Sequence, residues 1–184
     1  AKETFQEKLG RTVDKFVQDV CDHRDAFIAE APKKIDTPNT KLSLDAAKAF
    51  LQRTAEKSAG FRAKEEELKG GMDIFAMSRP PLKELLEVEK DTALLNDLWA
   101  ICEEWIGVYD GLKDGEFKDL DVEVMENMAV GIGKKLQKIG REVNDWVTWS
   151  SMKSVVDSFK KTMPLITDLR NPAIRQRHWE QLME

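Results

Sequence analysis

Cysteine, histidine, proline and glycine are all scarce in this chain, with two, two, six and ten among 184 residues. Cys21 and Cys102 lie far apart, each inside a helical pattern, which excludes a disulfide framework and fits a reducing compartment. His23 and His178 lie near opposite ends, neither with a cysteine or second histidine at ligand spacing, so no metal ligand set is in place. No apolar run reaches 18 residues, so no membrane-spanning helix and no membrane partner are expected. There is no secretory-signal pattern and no Asn-x-Ser/Thr acceptor. Glycine and proline are too few for a disordered chain and are expected between the patterned segments. No alternating strand pattern and no repeat of fixed length is found.

What is abundant is charge, 34% of residues, beside an apolar share of 41%. Long helices with one wet face and one buried stripe account for both figures. The expected fold is therefore all-α, an extended bundle of long antiparallel helices. A net charge of −5 argues against nucleic acid as a partner. The densest basic stretch, Lys134, Lys135, Lys138 and Arg141, is read as the solvated outer side of a helix.

The helices follow from the periodicity. Leu9, Val13, Phe16, Val20, His23 and Phe27 step by fours and threes, so a first helix is expected from about residue 3 to Ala31, closed by Pro32. A connector over 32–42 leads to Ser43, a plausible N-cap. The second helix carries Leu44, Ala47, Leu51, Phe61 and Leu68 on a stripe diluted by Thr54, Ser58 and Glu65, and Gly70-Gly71 should end it. Pro80-Pro81 opens a third helix over about 82–112, with Leu85, Val88, Leu95, Trp99, Cys102 and Ile106 in heptad spacing. A fourth starts at about Asp121 with the seam Met125, Ala129, Ile132, Leu136, Ile139, Val143. These two matched seams predict an antiparallel hairpin closed through Trp99, Ile106, Ile132 and Ile139. A fifth helix over about 150–168 should be kinked by Pro164. Asn171 and Pro172 begin a sixth with the stripe Ile174, His178, Trp179 and Leu182. The chain opens in helical register and stops without a capping signal, as a piece of something longer would.

No constellation carries chemistry. Gly131-Ile132-Gly133 lacks the third glycine of a dinucleotide fingerprint and sits inside a helix, where the backbone amides are already used. The stretch 110–121 resembles a calcium loop with Asp110, Asp114 and Gly115 in place. Leu112 and Lys118 stand where oxygen donors belong, and Asp121 replaces the bidentate Glu. Asp121 reads instead as the next N-cap. No serine sits in a nucleophile elbow. Neither catalytic residues nor a cofactor or metal site are expected. Tryptophans in helical seams usually mean core packing, and the competing reading is anchors for another chain.

At the C-terminal end stands the string Met163-Pro164-Leu165-Ile166-Thr167-Asp168-Leu169-Arg170-Asn171-Pro172, then Ile174-Arg175-Gln176-Arg177-His178-Trp179. It resembles dynein heavy chains where the tail passes into the linker. Ile74-Phe75, Pro81, Lys83-Glu84-Leu85, Leu98-Trp99, Trp105, Phe117 and Leu120 resemble the same region. The likeness covers about 72–184, whereas residues 1–70 carry only helical seams. The Leu169-Arg170-Asn171-Pro172 form is more similar to axonemal than to cytoplasmic heavy chains.

The resemblance implies a tail hairpin over 1–70 and a tail-to-linker bundle over 71–184. It implies a non-catalytic, cofactor-free segment of a microtubule motor in the cytoskeleton, at the axoneme of a cilium or flagellum. Its partners would be the rest of the heavy chain (linker and AAA ring), and intermediate or light chains and docking proteins through the tail. Trp99, Ile132, His178 and Trp179 would be its structural or interaction residues. The alternative is a spectrin-like helical scaffold with no motor attached.

Overall fold

The computed structural model describes residues 2–113 and 121–169. They form five helices, α1 (Lys2–Glu30), α2 (Lys41–Ile74), α3 (Lys83–Lys113), α4 (Val122–Val143) and α5 (Val147–Leu169), with no strand among the described residues. The all-α expectation holds. The expected sixth helix lies outside the described residues.

The chain divides into two compact units. One comprises 1–32 and 45–97, the other 33–44 and 98–184. The boundary expected at residue 70 falls inside α2.

In the first unit, α1 and α2 run antiparallel, joined by pairs of rings. Phe5 meets Phe75 at 5.7 Å between centroids, Phe16 meets Phe61 at 6.1 Å, and Phe27 meets Phe50 at 6.0 Å. Rising residue numbers on one helix match falling numbers on the other. Offset aromatic pairs add to the area they bury. Val13, Phe16, Val20, Leu68, Met72, Leu82 and Leu85 make one buried cluster. The stripe of α2 is not wet where it is polar, since Thr54 and Ser58 are both buried. Ser58 shares a 3.1 Å hydrogen bond with His23, which also lies against Phe61. Burial, with Lys57 nearby, lowers the His23 pKa and holds the ring neutral.

Two helix ends differ from the sequence reading. Helix α2 begins at Lys41, so its cap is Thr40 rather than Ser43, and the Thr40 hydroxyl accepts from the Ser43 amide at 3.3 Å. Nor do Gly70 and Gly71 end α2. Its end is at Ile74, in a motif where the Met77 amide donates to the Met72 carbonyl and the Ala76 amide to Asp73. Ala76 holds φ +50° there, a position glycine normally takes. Gly71 has another use: a Cβ at that position would stand 3.1 Å from Leu9 Cδ2 on α1. More broadly, the expectation of glycines between helices fails, since Gly60, Gly107, Gly131, Gly133 and Gly140 lie within them too.

The second unit contains the latter part of α3 with α4 and α5. Trp99, Cys102, Ile132, Leu136, Val143, Met152 and Val156 are all but sealed from solvent. The sequence pairs α4 with α3, and Lys135 does reach Glu104 in an ion pair. The close backbone pairing in this unit, however, is between α4 and α5. Helix α5 starts at Val147, earlier than expected, and runs through Pro164 to Leu169. Asp121 caps α4 as expected, accepting from the Glu123 and Val124 amides.

Candidate interaction surface

Trp149 fixes the α4–α5 pair. Its indole Nε1 donates to the Leu136 carbonyl at 2.9 Å, and its six-membered ring lies over Gly140. A Cβ at position 140 would stand 2.7 Å from Trp149 Cζ2, closer than such atoms ever approach. One turn pair earlier, a Cβ at position 133 would meet the Lys160 ammonium at 2.6 Å. Gly133 and Gly140 are seven residues apart and so share a face of α4. Gly140 lets the Trp149 ring of α5 come close, whereas Gly131 of the Gly-Ile-Gly stretch faces open space and Gly133 meets only the movable end of Lys160.

The connector completes the start of α5. The Thr148 amide donates to the Lys33 carbonyl at 3.0 Å, and the Ile35 amide donates to the Thr148 hydroxyl at 2.9 Å. Thr148 is fully buried, and Lys33 places its ammonium 4.7 Å from the Trp146 ring. A helix begins with amides that lack helical partners, and here an amide of the first turn finds one on the connector.

Between α4 and α5 runs an open groove of about 980 Å³. Lys134, Lys138 and Arg141 line one side, Lys153 and Lys160 the other. The basic stretch is exposed, as expected, but points two ways: Lys135 turns toward α3, and its neighbours turn toward the groove. A second groove, about 430 Å³, is lined by Trp105, Tyr109, Phe159 and Ile166 among others. There Phe159 stands edge-on to Trp105 at 5.0 Å, and Tyr109 stacks on Trp105.

Of the residues singled out by sequence, Trp99 and Ile132 are 1% and 2% exposed, within the packing of the second unit. His178 and Trp179 lie outside the described residues, as does most of the calcium-like loop. Trp105 and Trp146 are buried, while Trp149 is only partly so. Burial pushes the Cys102 thiol up to about 12, so it stays protonated and unreactive. Among the described residues no group of three or more His, Cys, Asp or Glu converges as a metal site would. What the sequence reading missed is the Gly140–Trp149 contact, whose sole trace is a glycine inside a strong helical pattern.

The family model for the dynein heavy chain, N-terminal region 2, matches residues 85–184. The chain is 43% identical over 183 residues to the Dynein-1-beta heavy chain, flagellar inner arm I1 complex, of Chlamydomonas reinhardtii, covering 100% of this chain and 4% of that protein. It is 38% identical over 125 residues to Dynein axonemal heavy chain 2 of Homo sapiens, covering 67% of this chain and 3% of that protein. Against the Mus musculus protein of the same name it is 32% identical over 188 residues, covering 100% of this chain and 4% of that protein. The likeness thus extends into residues 1–70, where the sequence reading found only helical seams. The chain spans about 4% of the length of these relatives. No solved structure matches it.

Proposed function

This chain belongs to the dynein heavy chain family, and from that premise we propose that it joins an anchored tail to the force-generating linker and AAA ring. It is a structural segment from the N-terminal tail region of an axonemal-type heavy chain. In this reading it does no chemistry and holds no cofactor; its work is mechanical, in ciliary or flagellar motility at the axoneme. Intermediate or light chains and docking proteins would meet the tail of which it is part. The observation that carries the reading is the family match, which runs from the middle of the chain to residue 184. The packing supports it. Bending α4 against α5 would pull the Trp149 indole off Gly140 and break its bond to Leu136, and close-packed interiors resist such shifts.

The test is made in a whole heavy chain carrying Ile132→Asp, which disrupts the packing of the second unit. The expected result is unchanged basal ATP turnover with slowed microtubule gliding by motors anchored through the tail. Normal gliding, with proteolysis confirming that the segment is disrupted, would reject the mechanical role. Loss of ATP turnover in step with gliding would place the segment within the catalytic cycle instead.

A further inference from the structure

We propose that the groove between α4 and α5 is a docking site for an acidic amphipathic helix of a partner protein. The inference stands on the groove's own residues and not on the assignment to a motor.

Charge comes first. Five cations line the groove, and Asp157 is its one carboxylate. Asp157 is engaged by Lys153 at 3.0 Å. Among the described residues, no ion-pair partner is found for Lys134, Lys138, Arg141 or Lys160. This concentration of positive charge sits on a chain whose net charge is −5. Screening confines a surface field to about 8 Å at physiological salt. A short acidic segment lying in the groove feels the cations, whereas a long polyanion or an anionic membrane also meets the acidic remainder of the surface. The balance favours a compact acidic guest.

Shape comes second. The groove contains apolar surface as well as charge, from Val130 and the partly exposed Trp149 ring. Val130 is 38% exposed. A furrow between two antiparallel helices, apolar in part and charged along its sides, suits a third helix laid along it. Spacing agrees. Lys134, Lys138 and Arg141 lie in steps of four and three and span ~10 Å of α4. A guest helix with carboxylates at i, i+4 and i+7 presents them along one face over the same length. Its neighbouring apolar stripe would cover Val130 and the Trp149 ring.

The experiment is calorimetric titration of the 184-residue chain. The probe is a synthetic amphipathic helix with Glu at i, i+4 and i+7 beside a leucine stripe, and the controls are the scrambled peptide, duplex DNA and phosphatidylserine vesicles. Binding of the helix is expected, weakening as salt rises. The triple variant K134E/K138E/R141E should lower its affinity at least ~10-fold, since it reverses the charge of one side. Lys135→Glu, on the α3 side, should leave affinity unchanged. Circular dichroism checks that each variant stays folded, and the single exposed change Lys138→Gln, with a smaller loss, serves if the triple variant does not. Equal binding of the scrambled peptide, or equal affinity of the triple variant, would overturn the proposal. Tighter binding of DNA or vesicles than of the helix would also overturn it and reassign the groove.

Discussion

The α1–α2 pair and the α4–α5 pair solve the same problem in opposite ways. Along α1 and α2 the helices meet through large rings, Phe16 on Phe61 and Phe27 on Phe50. Along α4 and α5 they meet through a missing side chain, with Gly140 under Trp149. Rings at helical spacing can slide and repack at modest cost, because offset aromatic geometries are many. An indole seated on a glycine and bonded to a carbonyl has one position. The first pair should tolerate small changes along its seam, and the second should not.

The largest expected effect goes to the centre of the second unit. Ile132 is 2% exposed, and Ile132→Asp buries a carboxylate without a partner. That should cost ~3 kcal/mol or more. Thermal unfolding monitored by circular dichroism measures it, and a shift no larger than that of an exposed substitution would show that α4 does not pack through this residue.

Next is a matched pair of substitutions that sets the two hairpins directly against each other. Gly140→Ala puts a methyl 2.7 Å from the indole and should be destabilising, because overpacking of ~1–3 kcal/mol exceeds the ~1 kcal/mol gained by replacing a helical glycine. Gly71→Ala meets only the end of the Leu9 side chain at 3.1 Å, which can turn aside. There the helix gain of up to ~1 kcal/mol should survive in part. Denaturant midpoints decide it. Two changes of the same sign and size would erase the contrast between the pairs.

A fourth substitution stabilises. Ala76→Gly relieves a left-handed residue at the end of α2 and should add about 1 kcal/mol, provided the Met77 to Met72 bond is kept. Failure to raise the midpoint would mean that the gain is cancelled by added freedom of the unfolded chain.

The smallest effect is one of pH, and it belongs to the first unit alone. His23 has its pKa lowered in the folded state from the ordinary 6.5, first by burial and then by Lys57. The unfolded chain then binds the proton more readily, so stability rises with pH through this window. Its contribution is fully present above 6.5 and is lost as pH falls through the lower folded value. Melting scans from neutral to mildly acid pH should show a decline that His23→Gln flattens. An unchanged slope in that variant would assign the acid sensitivity to other groups.

Most helices and both stripes of buried residues could be read from periodicity, because burial on one face leaves a 3.6-residue trace. The hidden parts are those where one residue acts against its type. Ala76 takes a glycine's conformation, so Gly70-Gly71 drew the helix end forward. Gly140 in mid-helix looks like a weakness until the ring above it is known. The basic stretch of α4 was legible as charge, but not as two directions, since the partner helix decides which way each lysine turns.

The bonds that close the start of α5 carry a consequence for the order of synthesis. Ile35 and Thr148 are 113 residues apart in the chain. At ~5–20 residues per second the ribosome needs roughly 6–23 s to make the stretch between them. Through that interval the connector has been made, but the hydroxyl its amide will bond has not. The Ile35 amide and the Lys33 carbonyl must therefore wait for Thr148 while the intervening helices emerge. The second unit is begun early and sealed late, by the same two residues.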